Sequence, residues 1–219
     1  MDEVKTPAEV SKEEEALTTA PQAQPVAPVS GNIWGSMEAM KVAYGMAKTL
    51  ASSSLVPQNY QRNPADCLIA LEMANRTGFS PLHVMQNLYV IQGKPSWSGQ
   101  FCAAAINACG KFSPLEYVEL LEEDGKTLKG YYAQATRLST GKLCVASPVT
   151  WDMVKKEGWD KKSGSKWLSM PDLMFHYRAA AFFVREFCPE VLCGLQTAEE
   201  VQDVKGYEQP KETQVITLD

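Results

Sequence analysis

The chain has 219 residues, 45% of them hydrophobic and 21% charged, enough for one domain with a sizeable core or two small ones. No apolar run approaches the roughly 18 residues a membrane-spanning helix needs, and the acidic start Met1-Asp2-Glu3-Val4-Lys5 is not a secretory signal. The formal net charge of −5 argues at first against nucleic acid as a partner.

The distribution of charge alters that reading. Residues 1–30 carry 2 basic and 6 acidic side chains, residues 31–195 carry 17 and 14, and residues 196–219 carry 2 and 6. A mildly basic body is flanked by acidic ends, and the local charge decides what a surface attracts. The N-terminal stretch has four prolines, the run Glu13-Glu14-Glu15 and no aromatic residue. Such a segment cannot bury enough surface to offset its ordering entropy, so disordered acidic tails are expected at 1–32 and 204–219 around a folded body at 33–203.

The elements read as follows. Met37, Met40, Tyr44 and Ala47 recur at helical spacing and predict a helix from Met37 to Ala51. Asn63-Pro64 caps a second helix that Gly78 ends, and Ser80-Pro81 opens a short third one to Asn87. Leu88 to Ile91 and Pro95 to Trp97 form a short hairpin around Gln92-Gly93-Lys94. Phe101 to Cys109 is an Ala-rich helix. Strands at Leu115–Leu121, Leu128–Leu138 and Lys142–Ser147 make a meander, with a tight turn at Asp124-Gly125. A short helix near Trp151 and a loop from Glu157 to Lys166 precede the last main helix. That helix opens at Ser169-Met-Pro171-Asp172, read as a cap with an acid at the third position. It runs to Phe187 and is apolar on most sides, which makes it central to the fold. The fold class is α+β: helices flanking a short β-hairpin and a three-stranded antiparallel meander, with a long central C-terminal helix.

Catalytic chemistry finds little support. Gly125-Lys126-Thr127 has the end of a phosphate-binding loop, but Leu120 stands where its first glycine should be. Glu116, Glu119, Glu122, Glu123 and Asp124 could serve metal-assisted phosphodiester cleavage, yet the last three are expected to splay into solvent at a hairpin tip. Six cysteines without a CxxC spacing, and two histidines (His83 and His176), make a zinc site improbable. The cysteines read as small core residues in a reducing cytoplasm, and the histidines as structural. No nucleophile–base pair, cofactor or metal is expected, and the protein is not read as an enzyme.

The segment from Lys155 to Trp167 is the most informative. It holds Lys155, Lys156, Lys161, Lys162 and Lys166 with Trp159 and Trp167. Lysines attract phosphates and an aromatic face can stack any base. Trp167 reads as a core anchor; Trp159 divides evenly between anchor and base platform. Arg178 and Arg185 lie seven residues apart on one face of the last helix. Either they pair with carboxylates such as Asp172 or Glu186, or they line a groove for phosphates. Lys94 and Trp97 on the hairpin are further candidates, Trp97 being the one that could equally be core.

The stretch Leu55-Val56-Pro57, Asn63-Pro64-Ala65-Asp66-Cys67-Leu68-Ile69-Ala70, Gly78-Phe79-Ser80-Pro81-Leu82 and Leu88-Tyr89-Val90-Ile91-Gln92-Gly93-Lys94, followed by Trp167, Arg178-Ala179-Ala180 and Phe187-Cys188-Pro189-Glu190, resembles the RecT family of phage single-strand annealing recombinases. The resemblance covers about Met46 to Val204. It implies a DNA-annealing core that pairs complementary single strands without ATP, through an annealed duplex intermediate. It also implies a homo-oligomeric ring or helical filament with DNA in a basic groove, a phage exonuclease as partner, and a phage or prophage protein in the bacterial cytoplasm. Where members carry basic residues along the helix matching Phe101 to Cys109, this chain has only Lys111 just beyond it. Where members have adjacent basic residues in the last helix, it has Phe182-Phe183 and then Arg185. A single-strand-binding or replication accessory protein that does not anneal is the competing reading, and a metal-dependent nuclease the more distant one.

Overall fold

The computed structural model describes residues 32–91 and 93–203. The tails expected at 1–32 and 204–219 lie outside the described residues, apart from Asn32.

Helix α1 spans Met37–Ala51, as its sequence predicts, and Ser36 caps it by accepting the Ala39 N–H at 3.0 Å. Its buried line is not the expected one. Ala43, Ala47 and Ala51 face the core, while Met37 is 65% exposed and Met40 and Tyr44 are also exposed. Alanines at i, i+4 and i+8 let α1 approach α2 closely, which leaves the large side chains on the outer face. Helix α2 (Pro64–Thr77) starts at the Asn63 cap, whose Oδ1 accepts the Asp66 N–H at 3.2 Å, and stops at Gly78 with φ +75°. Helix α3 (Pro81–Asn87) follows, capped by Ser80.

Strands β1 (Leu88–Ile91) and β2 (Lys94–Trp97) pair antiparallel, Tyr89 opposite Ser96. Helix α4 (Gly99–Ala108) leads to β3 (Glu116–Leu121), β4 (Leu128–Arg137) and β5 (Lys142–Val145), the antiparallel meander predicted. A fourth strand, β6 (Val149–Thr150), was not anticipated. It pairs with Gly130 and Tyr131 on β4, a ten-residue strand longer than β5 can cover. Gly130 is required there, because a Cβ at that position would sit 2.0 Å from the Val149 carbonyl oxygen.

Helix α5 (Trp151–Lys156), the 3₁₀ turn Trp159–Lys161 and helix α6 (Pro171–Phe187) follow. Helix α6 is central: Phe175, Ala179, Ala180, Ala181, Phe183 and Val184 are buried, and it packs on α4 and β4. Its expected cap is corrected. Met170 is the cap residue and gives no side-chain hydrogen bond, whereas the Ser169 hydroxyl donates to the Lys166 carbonyl. Pro171 at the first position lacks an N–H to satisfy and starts the helix without a polar cap.

The chain then makes a 3₁₀ turn at Pro189–Leu192 and returns to the first sheet as β7 (Gln196–Thr197), parallel to β2, before helix α7 (Ala198–Asp203). The described fold is thus α+β, with a three-stranded mixed sheet and a four-stranded antiparallel one. No helix among the described residues is long and apolar enough to cross a membrane.

Candidate nucleic-acid interface

Three of the cations singled out in the sequence meet at one place. The Arg178 Nη2 donates to Asp203 Oδ2 at 2.5 Å, and Lys162 Nζ pairs with Asp203 Oδ1. One turn earlier on α7, Glu200 receives Arg185 through two bonds, Nε at 3.2 Å and Nη2 at 2.6 Å. The loop before α6, helix α6 itself and the C-terminal helix therefore converge. The two arginines do pair with carboxylates, but not with Asp172 or Glu186. Asp172 accepts from the Tyr131 hydroxyl at 3.4 Å, and Glu186 accepts the Ser147 N–H at 3.0 Å.

Trp97, Trp159 and Trp167 are all buried, Trp167 as the expected anchor. Trp159 is buried, stacked on Trp167 at 5.6 Å between ring centroids, with the Arg178 guanidinium 4.0 Å above its ring. Trp167 packs edge-on against Phe175 and Trp151. Trp97 is fully buried, stacks on Phe101 at 4.0 Å and donates its Nε1–H to the Leu192 carbonyl at 3.0 Å. Neither Trp97 nor Trp159 presents a free ring face, which removes Trp97 as a DNA contact and settles Trp159 as an anchor rather than a base platform. Burial wins because an indole has more apolar area to hide than the two short elements can leave uncovered. An exposed aromatic stands nearby instead: Tyr89, on β1 of the hairpin that carries exposed Lys94, is 46% exposed.

The remaining lysines fall into two groups. Lys155, Lys161 and Lys166 are exposed and make no ion pair with another described residue. Lys156 is bridged to Asp152 at 2.7 Å, one helical turn away on the exposed face of α5. Lys111 pairs with Glu190 at 2.7 Å, which holds the carboxyl of Glu190 below its ordinary value. These two line a cavity of about 310 Å³ with Arg76, Phe79 and Cys109, and none of the residues around Asp203 takes part in it.

Four of the five carboxylates considered for metal chemistry have other partners. Glu116 accepts from Gln134, Glu119 from the Tyr131 hydroxyl at 3.2 Å, and Glu122 is 3.4 Å from Lys129. Glu122, Glu123 and Asp124 are all exposed at the hairpin tip, as expected, with the Asp124 carboxylate tied to the turn. Asp124 accepts the Thr127 hydroxyl and the backbone N–H groups of Thr127 and Lys126, which holds its pKa down to about 2. Among the described residues no group of three His, Cys, Asp or Glu could hold a metal ion. His176 stacks on Tyr117 at 4.2 Å and burial lowers its pKa; His83 stacks on Phe79 at 4.9 Å. All six cysteines are free thiols, and Cys67, Cys102, Cys144 and Cys188 are buried.

Sequence reasoning overlooked Glu200 and Asp203, which it had grouped with the acidic C-terminal segment. A signal for them was present. Thr197-Ala-Glu-Glu200 is a capping box, and its two reciprocal bonds form: Glu200 N–H to Thr197 Oγ1 at 3.3 Å, and Thr197 N–H to Glu200 Oε2 at 2.8 Å. No family model, curated protein or solved structure matches the chain.

Proposed function

We propose that the protein binds single-stranded DNA with little sequence preference and anneals complementary strands as an oligomer, without ATP hydrolysis. The observation that carries this reading is the set of exposed Lys155, Lys161 and Lys166, none of them in an ion pair with another described residue, around half-buried Lys162. Exposed cations spaced along one segment suit a backbone of regularly spaced phosphates. Exposed Tyr89, on the same hairpin as Lys94, takes the base-stacking role that the sequence left open for Trp159. The motifs shared with the RecT family support the same reading, including its phage origin, its cytoplasmic setting and an exonuclease partner that supplies single strands.

The test is an annealing assay on complementary labelled oligonucleotides, with EDTA and without nucleotide, beside a cleavage assay with magnesium. Annealing under the first condition is expected, with wild-type binding that weakens along a log–log salt slope of about −0.7 per contacted phosphate. The Lys155→Glu, Lys161→Glu, Lys166→Glu triple variant should bind poorly while keeping its far-UV circular dichroism. A strict need for ATP hydrolysis, salt-independent affinity, or binding without annealing would each overturn the annealing reading; strand cleavage with magnesium would replace it with a nuclease.

A further inference from the structure

We propose that Asp203 is a built-in competitor for DNA phosphate, holding Arg178 and Lys162 until an incoming strand displaces it; this rests on the DNA-binding reading above. The two cations come from different elements and each takes one oxygen of the same carboxylate. A phosphodiester offers the same set: one negative charge shared by two acceptor oxygens on a single atom. With Asp203 in place the trio carries a net charge of +1; with a phosphate in its stead the protein side presents +2.

The neighbouring acid shows why Asp203 is the exchangeable one. Glu200 is fixed twice over, by Arg185 and by the capping box with Thr197. Its role is to hold α7 and Arg185 in register. Asp203 has no backbone tie of this kind among the described residues. It sits at the last position of α7, whose anchor in the core is Val201, two residues earlier. The Lys162 side chain is 36% exposed, so the cluster opens to solvent on the lysine side. The Arg178 side chain is 7% exposed and stays out of reach while Asp203 covers it. A strand would therefore meet Lys155, Lys161, Lys166 and Lys162 first, and Arg178 after Asp203 has left.

Fluorescence anisotropy with a labelled poly-dT strand reads the effect. Asp203→Asn keeps the side-chain shape and one acceptor oxygen but removes the charge. It should tighten binding by up to about fivefold, the equivalent of an exposed ion pair, and steepen the salt slope by about 0.7 for each added phosphate contact. Unchanged or weaker binding by a variant that melts like wild type would overturn the proposal and make Asp203 a residue that merely positions Arg178. Hydrogen exchange of wild type covers the case of a variant that does not fold. Saturating poly-dT should reduce protection at the end of α7, and constant or increased protection there would overturn the proposal. If wild type binds no single strands, the functional reading falls and the competitor with it; if it binds and either readout fails, only the competitor falls.

Discussion

The Arg178 guanidinium lies 4.0 Å above the Trp159 ring while its Nη2 donates to Asp203. One side chain thus ties α6 to the 3₁₀ turn on one side and to α7 on the other. Replacing it leaves half-buried Asp203 with Lys162 alone and an indole without its cation. Arg178→Ala should lose roughly 1–3 kcal/mol in urea unfolding, from the lost charge-assisted hydrogen bond to Asp203 and the lost contact with the Trp159 ring. A loss below about 1 kcal/mol would show that Arg178 does not join the Trp159 ring to Asp203 in solution.

Trp159→Ala tests the same junction from the aromatic side. The indole is a packing element between Trp167 and Arg178. Stability should fall by roughly 3–5 kcal/mol, as for other large-to-small core changes. A stable variant with a pure DNA-binding defect would return Trp159 to the role of base platform.

Tyr89→Ala should behave in the opposite way. The ring is on the surface of the hairpin, so unfolding free energy should stay within about 0.5 kcal/mol of wild type. Affinity for single strands should fall by about 1–3 kcal/mol if a base stacks there. Isothermal titration with poly-dT and thermal melting on one sample measure both.

Gly130→Ala is expected to damage the meander. The added methyl would meet the Val149 carbonyl oxygen, a backbone atom that cannot rotate away. β6 must then part from β4, at a cost of at least about 1–3 kcal/mol. A variant with unchanged melting would mean that β6 is not held against β4.

Acid should loosen the β3–β4 turn. Asp124 is held at about 2, first by the Thr127 hydroxyl and then by two backbone N–H groups. Its folded pKa lies below the unfolded value near 4, so its contribution is complete above pH 4 and disappears as pH falls toward 2. Carbon-detected NMR titration should place the midpoint near 2 and shift it upward in Thr127→Val. A wild-type midpoint near 4 would show that the turn bonds do not form.

Local signals carried most of the fold. Asn63-Pro64, Ser80-Pro81, Gly78 and Asp124-Gly125 act through their own backbone neighbours, and the elements they bound lie where the sequence puts them. What the sequence hid depends on distant partners. The methionine stripe of α1 marks a helix, but the close approach of α2 selects the alanines as its inner face. β6 and β7 are two residues each, too short for any periodicity, and exist because β4 and β2 offer them open edges. The cations of the candidate site were legible as residue types. Their carboxylate partners were not, because Glu200 and Asp203 look like the solvated acids of a tail until α7 folds back on α6.

The return of the chain to the first sheet governs when the protein can become whole. Trp97 donates its indole N–H to Leu192, 95 residues further along, and β7 then completes the strand order beside β2. Closing so long a loop must precede the contacts that reward it, which slows folding. On a ribosome, the hairpin and α4 emerge long before the segment that seals them. Until Thr197 and Val201 arrive, the nascent chain leaves the Trp97 edge of its sheet uncovered and the arginines of α6 without counter-charges. Residues 196–203 thus both complete the first sheet and bring the counter-charges of Arg178 and Arg185.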